Sequence, residues 1–312
     1  MKSTVIFNAG SLNIDDVFRT DHIVRPGETI SGRTLDRYPG GKGLNQSTAL
    51  ARAGAVIHHV GRIGEDGTFL KKGLAADGAD VSGILTGEVP TGHAVIQVAD
   101  DGENAIVLFG GANQAWDDSD IDRVLRGAEA GDVLLMQNEI NGMAGLMNRA
   151  ADAGMRLALN PAPMEPEVLN YPLEKLSWLI VNEIEGRELS GIGPGGSGSD
   201  DDRIVAELLS RYPDTVIVLT LGKRGAVRGD RNGIIRSSFA DVGPVVDTTG
   251  AGDTFIGYWL AGEVAGMERV ACLRRACAAG ALAVTRPGAV TGIPKLEEVE
   301  AVLNSFPGSV DG

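Results

Sequence analysis

The sequence predicts an α/β protein in which a mostly parallel central sheet is covered by helices on both faces and carries a small β-sheet lid. From Val133 onward, short apolar runs typical of buried strands alternate with stretches of helical periodicity, which favours parallel strands joined by helices. Strand patterns at about 15–38 and 90–109 fall outside that alternation and predict the lid. At 312 residues the chain could form one large α/β domain or two small ones, and we expect a single domain over residues 1–312.

The individual elements follow from apolar runs, turn residues and periodicity. Residues 5–7 predict a buried first strand that ends at Asn8-Ala-Gly-Ser. Glycines at 40–43 open a helix that runs to about Gly54, and Asp100-Asp-Gly102 predicts a hairpin turn. The other predicted strands cover residues 22–24, 29–38, 56–60, 81–84, 91–98, 104–108, 133–136, 157–159, 179–181 and 216–221. The other predicted helices cover residues 67–76, 143–153 and 203–210, and an apolar helix follows Gly252.

Composition excludes several function classes. The formal net charge is −14 and the pI is about 4.7, which argues against sequence-independent binding to nucleic acid or to a membrane surface. No apolar run is long enough to span a bilayer, and none reads as a signal peptide. The two cysteines, Cys272 and Cys277, lie in an alanine-rich helical pattern and are interpreted as buried thiols. We therefore expect a cytoplasmic protein.

The stretch from Asp247 to Asp253 carries the strongest chemical signal. Gly250, Ala251 and Gly252 precede an apolar helix, so their amides and the positive end of the helix dipole can bind a phosphate. Asp253 then stands where a carboxylate could accept a proton from a hydroxyl beside that phosphate. The competing interpretation makes Asp253 a helix cap and the glycines turn formers.

Polar residues that bind hydroxyl groups cluster in the first half of the chain. Gly41 lies in a glycine-rich loop, and Asn45 follows it with both a donor and an acceptor. Asn13 and Asp15 come after the first predicted strand, and Glu139 ends another, so these residues can meet at the carboxyl edge of the sheet. A plain hairpin and an Asx turn are the structural alternatives.

Two nucleotide motifs can be set aside. Gly191-x-Gly193-x-x-Gly196 has dinucleotide-binding spacing, but no strand precedes it and Pro194 lies inside it. No Gly-x-x-x-x-Gly-Lys-Ser/Thr loop occurs. The sequence therefore favours neither an oxidoreductase of that type nor a P-loop kinase.

The loops Gly40–Asn45 and Asp247–Asp253, in this order, resemble the two signatures of the ribokinase-like (PfkB-type) carbohydrate kinases. The resemblance implies a three-layer α/β/α sandwich and an ATP-dependent sugar kinase with Asp253 as catalytic base and Gly250, Ala251 and Gly252 as anion hole. Ser11-Leu-Asn13-Ile-Asp15 reproduces a family sugar-binding spacing. The sugar-binding residues implied are Asn13, Asp15, Gly41, Lys42, Asn45, Ala94, Ile106 and Glu139.

The resemblance also implies sites for the nucleotide and for cations. Asn182-x-x-Glu185 is similar to the motif that orients phosphate and hydrated Mg²⁺, and residues alone would make it a capping box. The nucleotide is expected along Thr220, Gly222 and Gly225. A bound K⁺ is expected at the residues Asp247, Thr249, Ala283, Arg286, Gly288 and Gly292.

Several questions stay open at the level of sequence. Ribose is the leading acceptor, with fructose, a 2-keto-3-deoxy sugar acid or a nucleoside as alternatives, and a non-catalytic sugar-binding regulator as the remote one. Leu44 stands where ribokinase-like sugar signatures usually have Ala. By analogy with the family we expect a homodimer that pairs through the lid.

Overall fold

The computed structural model describes residues 4–193, 200–238 and 242–305. Gly196, part of the dinucleotide-like spacing, lies outside the described residues. The strands are β1 Ile6–Ala9, β2 Asn13–Arg19, β3 Thr34–Gly40, β4 Ile57–Gly64, β5 Asp80–Gly87, β6 Gly92–Val98, β7 Asn104–Phe109, β8 Val133–Gln137, β9 Arg156–Asn160, β10 Leu176–Asn182, β11 Val216–Thr220, β12 Ala226–Asp230 and β13 Gly233–Ser237. The α-helices are α1 Lys42–Arg52, α2 Thr68–Ala76, α3 Asp118–Arg126, α4 Met143–Asp152, α5 Glu183–Ser190, α6 Asp200–Arg211, α7 Ala251–Val264, α8 Arg269–Ala283, α9 Ala289–Gly292 and α10 Leu296–Ser305.

The central sheet has the order β13-β12-β11-β10-β9-β8-β1-β4-β5 over the described part of the chain. Strands from β5 across to β11 pair in parallel, whereas β12 and β13 add an antiparallel edge. The predicted mostly parallel sheet is therefore confirmed. The antiparallel edge was not predicted.

Two apolar clusters lie on opposite faces of this sheet, so the molecule has three layers. Neighbouring strand residues alternate between them: Ile6 packs in one cluster and Phe7 in the other. The first cluster contains side chains of α1, α2, α7, α8 and α10, and the second contains side chains of α3, α4, α5 and α6. This alternation confirms the predicted α/β/α sandwich.

The lid is a separate four-stranded sheet with the order β3-β2-β6-β7 among the described residues. The turn at Asp100-Asp-Gly102 joins β6 and β7 in an antiparallel hairpin, as predicted. The predicted strand at 22–24 is wrong: the strand in this region is β2, and residues 20–33 form a connection with a turn at Gly27. Its Val24 amide donates to the Gln97 side chain instead of to a neighbouring strand.

The packing of α7 on α1 accounts for a glycine in the middle of a helix. A Cβ atom on Gly257 would lie 2.4 Å from the Ala49 Cβ and 2.8 Å from the Leu50 amide nitrogen. Such distances exclude any side chain at this position without movement of a helix. This contact brings the N-terminal ends of α1 and α7 together.

No helix in residues 4–193, 200–238 or 242–305 is long and apolar enough to cross a membrane.

Candidate active site

Asp253 lies in the first turn of α7 and is 8 % exposed. The N-cap of this helix is Gly250, at φ 74°, and no side chain caps it. The Asp253 carboxylate instead accepts hydrogen bonds from Asn45 Nδ2 at 2.9 Å and from Gln46 Nε2 at 2.8 Å, both on α1. The capping interpretation of Asp253 is therefore wrong, and its carboxylate is held by a second helix.

The glycine loop in front of α7 is shaped by close backbone contacts. A Cβ atom on Gly250 would lie 3.0 Å from the Ala289 Cα, and the positive φ of Gly250 also disfavours any other residue. The Ala251 amide donates to the Thr248 carbonyl over a long 3.3 Å. Gly252 is exposed, and nothing lies within 4 Å of where its Cβ would stand. An anion can therefore approach the amides of this first turn closely.

Two cavities meet at this loop. One is lined mainly by polar groups, among them Lys42, Asn160, Asn182, Glu185 and Asp253. The other is mostly apolar and is lined by Gly222, Gly225, Val245, Phe255, Cys277 and Val284, together with a few polar residues. Because Thr220 and Gly252 line both, the two cavities lie side by side and together form a two-part cleft. Its apolar end suits an aromatic base and its polar end suits phosphates.

The predicted sugar-binding residues gather beside the polar cavity. Lys42 donates its amide to Glu139 Oε2 at 2.9 Å, and the Ser11 hydroxyl donates to the same carboxylate oxygen. Asn13 Oδ1 accepts from Asn113 Nδ2 at 2.7 Å. A Cβ atom on Gly41 would lie 3.0 Å from the Asn13 amide nitrogen, so the glycine loop packs against the start of β2.

Several charged groups share this small region. Burial, with contributions from Glu139 and Asp16, raises the pKa of the Asp15 carboxyl to about 6. Burial likewise raises the pKa of Glu139. Burial acts to lower the pKa of the Lys42 ammonium, but the carboxylates of Asp253, Glu139 and Glu185 raise it on balance.

The two predicted lid residues differ in environment. Ala94 pairs with Asp15 across β2 and β6 and is buried, so it lies on the lid face that carries Asp15. Ile106 pairs with Ile96 on the same face, two positions farther along β6, and is 54 % exposed. The structure therefore places Ala94 next to the polar cluster and Ile106 toward the solvent-exposed part of the lid.

Asn182 and Glu185 form the capping box of α5. Asn182 Oδ1 accepts from the amides of Ile184 and Glu185, and Glu185 accepts from the Asn182 amide at 2.9 Å. Both residues also line the polar cavity. Burial raises the pKa of the Glu185 carboxyl. The predicted capping box is confirmed, and its position at the cavity also allows a role in ligand binding.

The turn after β11 forms the wall of the apolar cavity. Gly222 and Gly225 adopt φ angles of 54° and 87°, and a Cβ atom on Gly225 would lie 1.9 Å from the Ser237 carbonyl oxygen. The Thr220 hydroxyl donates to the Val181 carbonyl at 3.3 Å, which ties this turn to the end of β10. The three predicted nucleotide residues therefore share one cavity wall.

The predicted K⁺ residues come together from three segments. Asp247 Oδ2 accepts from the Gly288 amide at 2.8 Å, and Asp247 Oδ1 accepts from the Thr249 amide and hydroxyl. A Cβ atom on Gly292 would lie 3.1 Å from the Ala283 carbonyl oxygen and 3.7 Å from that of Arg286. Backbone oxygens therefore converge beside the Gly250 loop. No cluster of three or more His, Cys, Asp or Glu side chains suited to a metal occurs in the described residues.

Comparisons with known proteins identify the family. The model of the pfkB family carbohydrate kinases matches residues 4–296. The chain belongs to the pfkB family of carbohydrate kinases. It is a phosphotransferase whose acceptor is a sugar hydroxyl. The ribokinase of Arabidopsis thaliana is 33% identical over 94% of this chain and 79% of its own length, and that of Haemophilus influenzae is 34% identical over 93% and 95%.

Solved structures agree with this assignment. A ribokinase from Cryptococcus neoformans in complex with ADP has a TM-score of 0.84 and 34% identity, covering 96% of this chain and 99% of its own. The A. thaliana ribokinase complexed with ribose and ATP has a TM-score of 0.86 and 30% identity, covering 97% and 99%. A Burkholderia thailandensis nucleoside kinase in complex with inosine, at 21% identity, shares the fold.

Sequence reasoning missed several polar residues of this pfkB-family site. Gln46 contacts Asp253, Gln137 contacts Gln46, and Asn160 lines the polar cavity. Gln137 and Asn160 end β8 and β9, where parallel strands deliver side chains to ligands. That position is the signal that could have found them.

Proposed function

We propose that this pfkB-family kinase transfers the γ-phosphoryl group of ATP to the primary hydroxyl of ribose. The observation that carries the proposal is the position of Asp253. Its buried carboxylate opens into the polar cavity, between the sugar-side cluster (Asn13, Asp15 and Glu139) and the apolar cavity in which the nucleotide is expected. The names of the relatives support ribose as the acceptor and ATP as the donor.

The geometry supports an in-line transfer with Asp253 as base. Asn13, Asp15 and Glu139 would hold the sugar so that its primary hydroxyl meets the Asp253 carboxylate. The hydroxyl oxygen forms a bond to the γ-phosphorus, the bond from that phosphorus to the β,γ-bridging oxygen breaks, and the hydroxyl proton passes to Asp253. The products are a sugar phosphate and ADP. The amides at the start of α7 and the Lys42 ammonium would stabilise the charge on the transferred group.

The site also fits the two cations that the family resemblance implies. Asn182 and Glu185 would hold a hydrated Mg²⁺, because the Glu185 carboxylate faces the polar cavity and Mg²⁺ retains several waters. The carbonyls of Ala283 and Arg286, which lie beside Gly292, would hold K⁺ together with Asp247 and the Thr249 carbonyl. When bound, these cations neutralise phosphate charge and order the Gly250 loop, respectively.

The charge of the sugar-side cluster disfavours a sugar acid as substrate. Asp15 and Glu139 face the same small region, and a third carboxylate there would meet two acidic groups. Lys42, a cation that interacts with Glu139, already has three carboxylates around it. A neutral polyhydroxyl acceptor therefore fits better than a 2-keto-3-deoxy sugar acid.

The replacement Asp253→Asn tests the role of the base. We expect kcat with ribose to fall at least about 100-fold, because the amide cannot accept the hydroxyl proton, while the KM values change little. ADP release is measured for ribose, fructose, a sugar acid and a nucleoside, with and without K⁺. Asp118→Asn, on the exposed surface of α3, is the matched control. Near-normal turnover of Asp253→Asn would remove this residue from the proposed role, and a faster reaction with another acceptor would replace ribose.

We further propose a cytoplasmic homodimer that pairs through the lid. The lid exposes apolar side chains that include Val107, Leu108 and Phe109. Cys272 and Cys277 are free and buried, which suits a reducing compartment.

A further inference from the structure

Buried side-chain amides lie directly beneath the catalytic carboxylate. We infer that Gln46 and Gln137 are positioning residues that fix the orientation of Asp253 through a directed chain of hydrogen bonds. This inference rests on the proposed function in that Asp253 is taken as the catalytic base. Neither glutamine belongs to the glycine loop or to the groups that contact ligands in the mechanism above.

The chain begins at the carboxylate itself. Gln46 Nε2 donates to Asp253 Oδ1 at 2.8 Å, and Asn45 Nδ2 donates to Asp253 Oδ2 at 2.9 Å. Each carboxylate oxygen therefore has one donor from α1, which fixes the plane of the group. Each oxygen also keeps further lone pairs for the hydroxyl of a substrate. Gln46 is fully buried, so water does not compete for these contacts.

A glutamine can present either its nitrogen or its oxygen, so its orientation needs a cause. Asn8 supplies the first constraint. Its Nδ2 donates to the Gly43 carbonyl oxygen at 2.8 Å, and a carbonyl can only accept. Asn8 Oδ1 must then face Gln137, whose Nε2 donates to it at 3.0 Å. The same Gln137 nitrogen donates to Gln46 Oε1 at 2.7 Å, which turns Gln46 Nε2 toward Asp253.

A second backbone carbonyl fixes the other end of the chain. Asn160 Nδ2 donates to the Ile180 carbonyl oxygen at 3.1 Å, so Asn160 Oδ1 faces Gln46 and accepts from its Nε2 at 3.2 Å. Reversing Gln46 would place its oxygen against the oxygens of both Asn160 and Asp253. The two carbonyls of Gly43 and Ile180 therefore leave one orientation for every amide between them.

Two further features support this orientation. Gln137 Oε1 is buried without a hydrogen-bond partner among the described residues, and leaving such a group unpaired is unfavourable. Gln137 keeps that arrangement because reversal would set its oxygen against those of Asn8 and Gln46. Beyond Asn8, the Ser47 hydroxyl contacts His59 Nδ1 at 2.7 Å. Burial lowers the pKa of His59 to about 3, so the chain carries no titrating charge near neutral pH.

Kinetics of a double-mutant cycle test the inference. Gln46→Met and Gln137→Met keep similar volume and remove the amides, and Asn148→Met on α4 is the matched control for loss of a structural amide. We expect kcat to fall about 10- to 100-fold in each glutamine variant, with KM values for sugar and ATP changed less than about threefold. Because Gln137 acts through Gln46, the double variant should be no slower than Gln46→Met alone.

A second Gln137 variant tests the hydrogen-bond donor separately from the effect of an apolar side chain on folding. Gln137→Glu keeps shape and polarity but replaces the donating nitrogen by an oxygen, and we expect the same loss of kcat. All variants are first shown to be folded by thermal unfolding. Normal kcat in both Gln137 variants, or losses that simply multiply in the double variant, would overturn the inference.

A crystal structure of Gln137→Met gives a readout that does not depend on turnover. We expect the Asp253 carboxylate to rotate away from its contact with Gln46. A carboxylate that keeps this contact contradicts the inference even if the wild-type protein phosphorylates ribose. Conversely, a wild-type protein that phosphorylates no sugar refutes the proposed function, and the crystal structure still decides the role of the glutamines.

Discussion

At the scale of single residues, we expect Asp15 and Glu139 to link sugar binding to pH. A carboxylate accepts hydrogen bonds from two hydroxyls of a sugar, whereas its protonated form accepts fewer and adds a donor of its own. Burial and the neighbouring acids Glu139 and Asp16 raise the pKa of Asp15 to about 6. The neutral form of Asp15 is therefore abundant in mildly acidic solution, unlike that of an exposed aspartate.

The pH dependence of sugar capture follows from this shift. We expect kcat/KM for ribose to fall about tenfold for each pH unit below pH 6, and more steeply where Glu139 also takes up a proton. The measurement is kcat/KM for ribose between pH 5 and pH 8, with thermal unfolding recorded at each pH. A flat profile down to pH 5 would contradict the prediction.

The raised pKa of Asp15 affects the stability of the folded protein in the opposite direction. The folded-state pKa of Asp15, about 6, lies above its ordinary value of 3.8, so the folded protein binds more protons between these two values. The contribution of Asp15 to stability is present at acid pH and is lost as the pH rises through about 6. Loss of sugar capture in acid therefore cannot be ascribed to unfolding caused by Asp15, and Asp15→Asn is the control that removes its part of both effects.

At the scale of elements, the contact of α7 with α1 brings together groups of the proposed active site, because α1 carries Asn45 and Gln46 and α7 carries Asp253. Gly257→Ala should destabilise the protein by about 1–3 kcal/mol, since the new Cβ would lie within 2.8 Å of the backbone of α1. This strain outweighs the gain in helix propensity of about 1 kcal/mol. Urea unfolding measures the change in free energy.

Gly73→Ala on α2 is the matched control for Gly257→Ala. Nothing lies within 4 Å of where its Cβ would stand, so the same substitution should stabilise the protein by up to about 1 kcal/mol. Opposite signs for the two substitutions would establish that packing of α7 on α1 excludes a side chain. Equal stabilisation by both would show that the helices separate without cost.

The sequence predicted some helices and strands better than others. The buried parallel strands β8, β9 and β11 are continuous apolar runs and were predicted within about two residues, whereas β4 extends well beyond its predicted end at residue 60. The lid strand β2 was missed as a strand because its sequence, Asn-Ile-Asp-Asp-Val-Phe-Arg, mixes acids with apolar residues that face a thin sheet. The helix α3 and the edge strands β12 and β13 were also missed, since their patterns are short and partly polar.

The residues of the site likewise differ in whether the sequence could predict them. The two glycine loops were predicted because positive φ angles and close backbone approach require glycine locally, as at Gly41 and Gly250. The contacts of Gln46 with Asp253 and Gln137 were not predictable, because these partners lie 207 and 91 residues away along the chain. The residues around a glutamine in the sequence do not indicate so distant a partner.

At the scale of the whole molecule, the site is assembled from the carboxyl ends of neighbouring parallel strands. Residues at or just beyond the ends of β1, β8 and β10 supply Ser11, Glu139 and Asn182, and the N-terminal turns of α1 and α7 face them. The lid lies beyond the end of β1 and contributes Asn13 and Asp15 through β2. In the proposed complex, residues of both the sheet and the lid contact the sugar, so we expect a change in the position of the lid to alter sugar binding.

The lid exposes apolar side chains, whereas the same surface would be expected to be polar if the protein were a monomer. Val107 is 67 % exposed and Leu108 is 63 % exposed, and because they are consecutive on β7 they face opposite sides of the lid. Phe109 and Leu35 on the two edge strands are also exposed. Exposed apolar side chains on both faces and at both edges of so small a sheet favour an interaction site, and unpaired edge strands add unsatisfied backbone groups.

We therefore expect the double variant Val107→Asp/Leu108→Asp to be monomeric, because burying two carboxylates in the lid contact would cost far more than the contact gains. Sedimentation velocity at micromolar protein measures the state of wild type and variant. Leu169→Asp, which alters an apolar residue that is 56 % exposed away from the lid, is the matched control and should stay dimeric. Because the lid also carries Asp15, the monomer should show a raised KM for ribose. A wild-type monomer, or a dimer that survives the double variant, would refute pairing through the lid.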